Sequence, residues 1–200
     1  MAEADDVQAV KRALRLRGLA ARERQENRES LSRAICGKLA ELPEYQAAAT
    51  VMFYVNMPRE VDTRHFLPLA RQQGKRVAIP YCRQGRIEIF RWQSMDELEK
   101  SKFGVLEPKA ELCRLRDRAL EPREMDLVVV PGVAFDAQGG RLGHGKGYYD
   151  GLLVRMRPGT PFVALAFESQ MVPQIPMLPH DVAMHKVITE RAIYARQPGG

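Results

Sequence analysis

The chain has 200 residues, 45% of them hydrophobic and 28% charged. That is ordinary globular composition and excludes a disordered or fibrous polymer, and the length suits one domain, residues 1–200, with a sizeable core. A net charge of +6 and a pI near 9.4 favour an anionic ligand, either a phosphorylated small molecule or nucleic acid.

Charge distribution argues against nucleic acid. Basic and acidic residues interleave, as in RERQENRESLSR from Arg22 to Arg33, which is the pattern of a solvated helix face. Cys36, Cys82 and Cys113 are odd in number and none sit at CxxC spacing. That argues against a disulfide framework or a zinc site and suits a reducing compartment. No apolar run reaches the roughly 18 residues that span a bilayer. The opening acids Glu3, Asp5 and Asp6 are unlike a targeting peptide. The expectation is a cytoplasmic protein without a membrane or nucleic-acid partner.

Residues 5 to 41 read as helix throughout, with Gly18 and Gly37 as the only interruptions. Val7, Val10 and Leu14 recur at helical spacing, as do Leu31, Ile35 and Leu39. ATVMFYVNM (49–57) is a continuous apolar run suited to a strand buried on both faces. A helix is expected over VDTRHFLPLARQQGK, ending at Gly74, then a short strand over KRVAIP (75–80). RIEIFRW (86–92) alternates like an edge strand or hairpin arm, and the polar stretch after it reads as a surface connection. MDLVVVPG (125–132) is the most strand-like stretch, and PFVALAF (161–167) and KVITE (186–190) supply further strands. Strands alternating with helices predict an α/β domain: a mostly parallel sheet flanked by helices in three layers.

Between MDLVVVPG and the helix that follows it lies GRLGHGKGYYDGLL (140–153). Glycines at 143, 145 and 147 would let backbone approach a phosphate. The amides opening the next helix would face it, with Arg141 and Lys146 adding charge. Neither GxxxxGK[ST] nor GxGxxG fits. A plain glycine-rich turn is the alternative reading of the spacing alone.

PGVAFDAQGGRLGHGKGYYDGLL resembles the signature of the 5-formyltetrahydrofolate cyclo-ligase family, roughly P-G-x-x-F-D-x-x-G-x-R-L-G-x-G-x-G-Y-Y-D. Every fixed position is met, from Pro131 to Asp150. KRALR (11–15), REVDT (59–63), FGVLEP (103–108) and PHDVAMHKVITE (179–190) resemble the family's other segments. Two departures are His144, where relatives often carry Arg or Tyr, and His185, where an acid is common. The resemblance implies a fold like that of ribose-5-phosphate isomerase and the CoA transferases, in a monomer. It implies conversion of 5-formyltetrahydrofolate, with or without a polyglutamyl tail, to 5,10-methenyltetrahydrofolate, with ATP and Mg²⁺.

Site residues follow from the same resemblance. ATP would be held by Lys11, Arg15 and the loop Arg141, Leu142, Gly143, His144, Gly145, Lys146, Gly147, Tyr148 and Tyr149. Arg141, Lys146 and Tyr149 would act in catalysis. Asp150 and Asp181 would share the metal, and Val55, Glu60, Phe103, Tyr148 and Tyr149 would contact folate. Taken alone, Lys11 and Arg15 also read as a solvated basic face, Glu60 and Asp150 as first-turn helix acids, and Asp181 as a loop cap. Other enzymes of that fold acting on sugar phosphates or CoA esters, and a basic nucleic-acid-binding module, are the rival functions.

Overall fold

The computed structural model describes residues 2–101 and 104–197. In chain order the helices and strands begin with α1 (Ala2–Arg24), α2 (Arg28–Glu41), α3 (Pro43–Ala47), β1 (Thr50–Met52) and α4 (Phe66–Gln72). Then come β2 (Arg76–Arg83), β3 (Arg86–Arg91), β4 (Leu98–Lys100), β5 (Leu106–Pro108) and β6 (Ala119–Leu120). The last third carries β7 (Leu127–Val130), β8 (Ala134–Phe135), β9 (Arg141–Leu142), α5 (Tyr148–Leu153), β10 (Phe162–Leu165), β11 (Lys186–Ile188) and β12 (Ile193–Ala195).

Eight strands form one sheet in the order β12-β11-β10-β7-β1-β2-β3-β6. The middle of it, from β11 to β2, is parallel. The antiparallel pairings β11–β12, β2–β3 and β3–β6 finish the two sides. The apolar runs explain the centre. Val51, Leu127, Val129 and Val163 face a core shared with α2, α3 and α4, built around Ile35, Leu39, Tyr45 and Leu67. Their neighbours Met52, Val128, Val130 and Ala164 face a second core capped by Leu152, Leu153 and Met156. Burying one Val or Leu side chain fully is worth roughly 1.5–3 kcal/mol. A strand apolar on both sides is therefore stable only where helices or loops cover both faces.

Several expected boundaries move. The long N-terminal helix divides at Asn27, not at a glycine. Asn27 sits in the left-handed region (φ 52°, ψ 31°), where asparagine is tolerated, and its carbonyl accepts the Leu31 amide at 3.0 Å. β1 keeps only Thr50–Met52 of the run 49–57. β2 runs through Pro80 to Arg83, and β3 is an arm of the β2–β3 hairpin, not the sheet edge. The polar connection holds the β4–β5 ribbon, and β12 follows KVITE as one more strand.

The face of α1 also differs from its apolar spacing. Val10 is exposed and Leu14 only half-buried, whereas Lys11, Gly18 and Arg22 are buried and Arg15 is half-buried. Positions 11, 15, 18 and 22 form one stripe of a helix. α1 lays that stripe on β8, β9 and the turn Glu168–Gln170. A Cβ on Gly18 would stand 2.3 Å from the Val133 carbonyl oxygen. The missing side chain is what lets this helix lie so close.

Candidate functional site

β1 and β7 are parallel neighbours, so the chain leaves their carboxyl ends side by side. Open α/β sheets place ligands there. From β1 the chain runs to Val55 and Glu60. From β7 it runs through Pro131–Val133 into the β8–β9 ribbon and the glycine loop.

Asp136 fixes the ribbon. Its carboxylate, 2% exposed, accepts the amides of Gln138 (2.9 Å), Gly140 (2.7 Å) and Ile175 (2.7 Å). Gly139 (φ 86°) passes so close to Met184 that a Cβ would fall 2.2 Å from its carbonyl oxygen. The Met184 amide bonds back to Gly139 at 2.8 Å. The closing loop, with Asp181, is thereby tied to the ribbon. Gly145 (φ 91°) and Gly147 (φ 66°) need glycine for their left-handed backbone, because a Cβ on Gly147 would meet nothing within 4 Å. Gly147 caps the six-residue helix α5, whose first amides lack intrahelical partners.

Cations gather round this loop from α1 and from the loop itself. Arg15 Nε donates to the Gly143 carbonyl at 3.0 Å. Lys11 Nζ is ion-paired and hydrogen-bonded to Asp181. Arg141, 5% exposed, donates to Asp150 Oδ2 at 3.0 Å, and its guanidinium lies 5.7 Å from the Tyr149 ring centroid. Asp150 Oδ1 accepts the Val182 amide at 3.1 Å, which sets Asp150, in the first turn of α5, against the loop that carries Asp181. Asp181 Oδ2 also accepts the Leu178 amide at 2.7 Å, so it does cap its loop. Desolvation pushes the Asp181 carboxyl up, but the bonds from Lys11 and Leu178 outweigh it and hold the group below its ordinary value. Lys146 and Tyr148 are exposed, with Nζ 5.8 Å from the ring centroid. Leu142 is buried in a small cluster with Ala134, Val172 and Ile175. His144 is exposed; residual desolvation, then Arg22 and Arg15, push its imidazole down.

The folate candidates divide. Val55 is buried in the core and Glu60 is buried in its loop. α4 starts only at Phe66, so Glu60 is not a first-turn helix acid. Glu60 Oε2 accepts the Met57 amide at 2.9 Å and Oε1 faces Arg22 at 3.2 Å. Burial raises its carboxyl above the ordinary value against the pull of Arg22. Glu60 in turn helps burial to raise the phenols of Tyr54 and Tyr149, so both stay neutral. Phe103 lies outside the described residues. A cleft of about 290 Å³ opens beside Asn56, Pro58, Glu60 and Asp62. A larger one of about 350 Å³, beside Tyr81, Cys82, Glu107 and Cys113, is lined by none of the expected residues, so volume alone does not pick the site.

Lys11 is 2% exposed, which removes the solvated-face reading. The sequence reading missed Arg22 and the structural role of Asp136. The signal for Arg22 was its place eleven residues after Lys11, three helical turns along the same stripe. Among the described residues no three His, Cys, Asp or Glu side chains cluster as a metal site, and no helix is long and apolar enough to cross a membrane.

In sequence and in fold the chain is similar to known proteins of one family. The model of the 5-formyltetrahydrofolate cyclo-ligase family matches residues 7–190. A Mus musculus 5-formyltetrahydrofolate cyclo-ligase is 34% identical over 201 residues, 92% of this chain and 95% of that one. A probable 5-formyltetrahydrofolate cyclo-ligase from Schizosaccharomyces pombe is 33% identical over 179 residues, 82% of this chain and 86% of its own. The solved 5,10-methenyltetrahydrofolate synthetase of Aquifex aeolicus superposes with a TM-score of 0.81 at 30% identity, covering 96% of this chain and 95% of that one.

Proposed function

The chain belongs to the 5-formyltetrahydrofolate cyclo-ligase family, and from that premise we propose that it turns 5-formyltetrahydrofolate and ATP into 5,10-methenyltetrahydrofolate, ADP and phosphate. A formamide oxygen is a poor leaving group. Transfer of the γ-phosphoryl group to it forms one P–O bond and breaks the bond to ADP. N10 then attacks the formyl carbon, its proton passes to water or phosphate, and the C–O bond breaks as phosphate leaves. No protein nucleophile is needed. The chain must align two ligands and stabilise charge on the phosphoryl oxygens.

The observation that carries this reading is the grouping of Arg15 on the Gly143 carbonyl, Arg141 on Asp150 and Lys11 on Asp181 about a loop whose Gly145 and Gly147 are left-handed. The amides of Gly143–Gly147 and the opening of α5 would cradle the phosphates. Arg141 and Lys146 would oppose the developing charge. Tyr149, neutral and beside both Arg141 and Glu60, stands between the nucleotide loop and the folate acid. Val55, Tyr148 and Phe103 would supply apolar contact to the ring system.

Asp150 and Asp181 suit magnesium by donor type, since that ion usually takes one or two carboxylates with phosphate oxygens and waters. It would neutralise phosphate charge there. Arg141 and Lys11, now paired with those acids, would then be released to phosphate oxygens.

The test mixes purified protein with 5-formyltetrahydrofolate and Mg-ATP and follows methenyl absorbance. Turnover that stops with EDTA is expected. No methenyl product under those conditions overturns the proposal.

A further inference from the structure

Arg22 has no role in the reading above, yet it is among the most buried charges of the molecule, 5% exposed. It sits on the same stripe of α1 as Lys11 and Arg15. One terminal nitrogen donates to Glu60 at 3.2 Å and lies 3.4 Å from the Gly132 carbonyl oxygen. Its Nε is buried with no protein partner among the described residues. Gln170 bonds the same Gly132 carbonyl at 3.1 Å, so the loop after β7 is held from two sides. The next residue along, Glu23, pairs with Arg59, the neighbour of Glu60. Arg59 holds a left-handed backbone (φ 71°), rare for a side chain of that size. Two consecutive residues of α1 thus cross-pair with two consecutive residues of the loop beyond β1.

We propose that Arg22 is the positioning residue for the folate-binding carboxylate: it aims Glu60 and keeps it ionised, while α1 holds the nucleotide cations at its other end. This rests on the reading that Glu60 binds folate. A carboxylate that accepts donors from a pterin must carry its charge, and a buried one loses that charge unless a cation faces it. The groups facing Glu60 are Arg22 from α1, the Tyr54 hydroxyl from the segment after β1, Tyr149 from α5 and the Met57 amide of its own loop. Arg22 is the cation among them. Burial already drives the Glu60 carboxyl upward, so removing Arg22 leaves that drive opposed by the Met57 amide.

The test is steady-state kinetics of Arg22→Met, Arg22→Gln and Arg22→Lys, with melting temperatures to confirm folding. For Arg22→Met the expectation is a KM for 5-formyltetrahydrofolate raised about tenfold or more, the worth of one charge-assisted bond, with little change in the KM for ATP. The acid limb of kcat/KM for folate should move to higher pH, because Glu60 takes its proton more readily. Arg22→Lys should return the limb to the wild-type position. An unchanged folate KM and an unmoved acid limb in Arg22→Met overturn the proposal. If that variant fails to fold, Arg22→Gln, which keeps a donor and loses the charge, decides on the same limb. Glu60→Gln separates the two readings. If it leaves the folate KM unchanged, Glu60 is not a folate ligand. If it loses folate while the Arg22 variants keep both KM and limb, only the role of Arg22 falls.

Discussion

Asp136 and Asp150 sit fourteen residues apart in one motif and do different work. Asp136 accepts three backbone amides and forms no ion pair among the described residues. Asp136→Asn replaces an acceptor by a donor against one of those amides, and the expected cost is about 2 kcal/mol or more, read as a lower urea midpoint. Asp150 instead bonds Arg141 beside the glycine loop. Arg141→Ala and Asp150→Ala should fold and lose about 100-fold or more in kcat, the usual scale for a charge-stabilising group. His185 is the contrast. Its Nδ1 accepts the Phe162 amide at 2.9 Å and its ring lies edge-on to Phe162, so it belongs to the sheet. His185→Ala should lower stability and leave kcat within a few-fold. Equal losses in all three would contradict the site. The motif letters alone could not separate these acids, because spacing does not say which carboxylate faces a guanidinium and which faces amides.

At the scale of elements, α1 is where sequence and structure part most. Apolar spacing pointed to Val7, Val10 and Leu14, yet the buried stripe is Lys11, Arg15, Gly18 and Arg22. Hydrophobic periodicity finds the face that meets a hydrophobic core. This helix lies on the β8–β9 ribbon and the Glu168–Gln170 turn with a mainly basic inner face, where Leu14 packs in part against Ala134 and Leu142 while Val10, Leu16 and Leu19 are left exposed. Gly18 makes the approach possible. Gly18→Ala would drive a Cβ into the Val133 carbonyl, a backbone atom that cannot swing aside. The helix would have to lift, moving Lys11, Arg15 and Arg22 together. We expect about 1–3 kcal/mol of destabilisation and a raised KM for ATP and folate alike in the methenyl assay. The central strands were legible for the opposite reason: runs such as LVVV are buried on both faces and need no partner's chemistry to be read. The β8–β9 ribbon was not, since its two-residue strands are set by Asp136 and by Gly139, not by any apolar pattern.

Over the whole molecule, carboxylates held by cations set the acid limit of stability. Asp126 is pushed up by desolvation, but the amides of Thr50 and Ala49 and the Arg157 guanidinium hold it below its ordinary value. Asp62, Asp181 and Glu44 are depressed likewise by Arg64, Lys11 and Lys186. A carboxyl lowered in the folded state contributes stability above its unfolded value, and that contribution is lost as pH falls through the folded one. Glu60, raised by burial, acts in the opposite sense. Burial pushes the His65, His144 and His185 imidazoles down, so urea midpoints should ease down between about pH 7 and pH 5 and then fall more steeply below about pH 4 as the carboxylates take up protons. Asp126→Asn should be less stable at neutral pH and lose less on acidification; an acid slope as steep as the wild type's would contradict this.

Whole-molecule topology also brings the two ends of the chain together. Residues 11 and 181 meet because α1 lies on the ribbon that the closing loop is tied to. The most direct measurement is a crystal structure with a non-hydrolysable ATP analogue and magnesium. The account predicts the terminal phosphate against the amides of Gly143–Gly147, with Lys11 and Arg15 turned from Asp181 and the Gly143 carbonyl to its oxygens. A triphosphate bound elsewhere, with those two side chains still on their present partners, would contradict it.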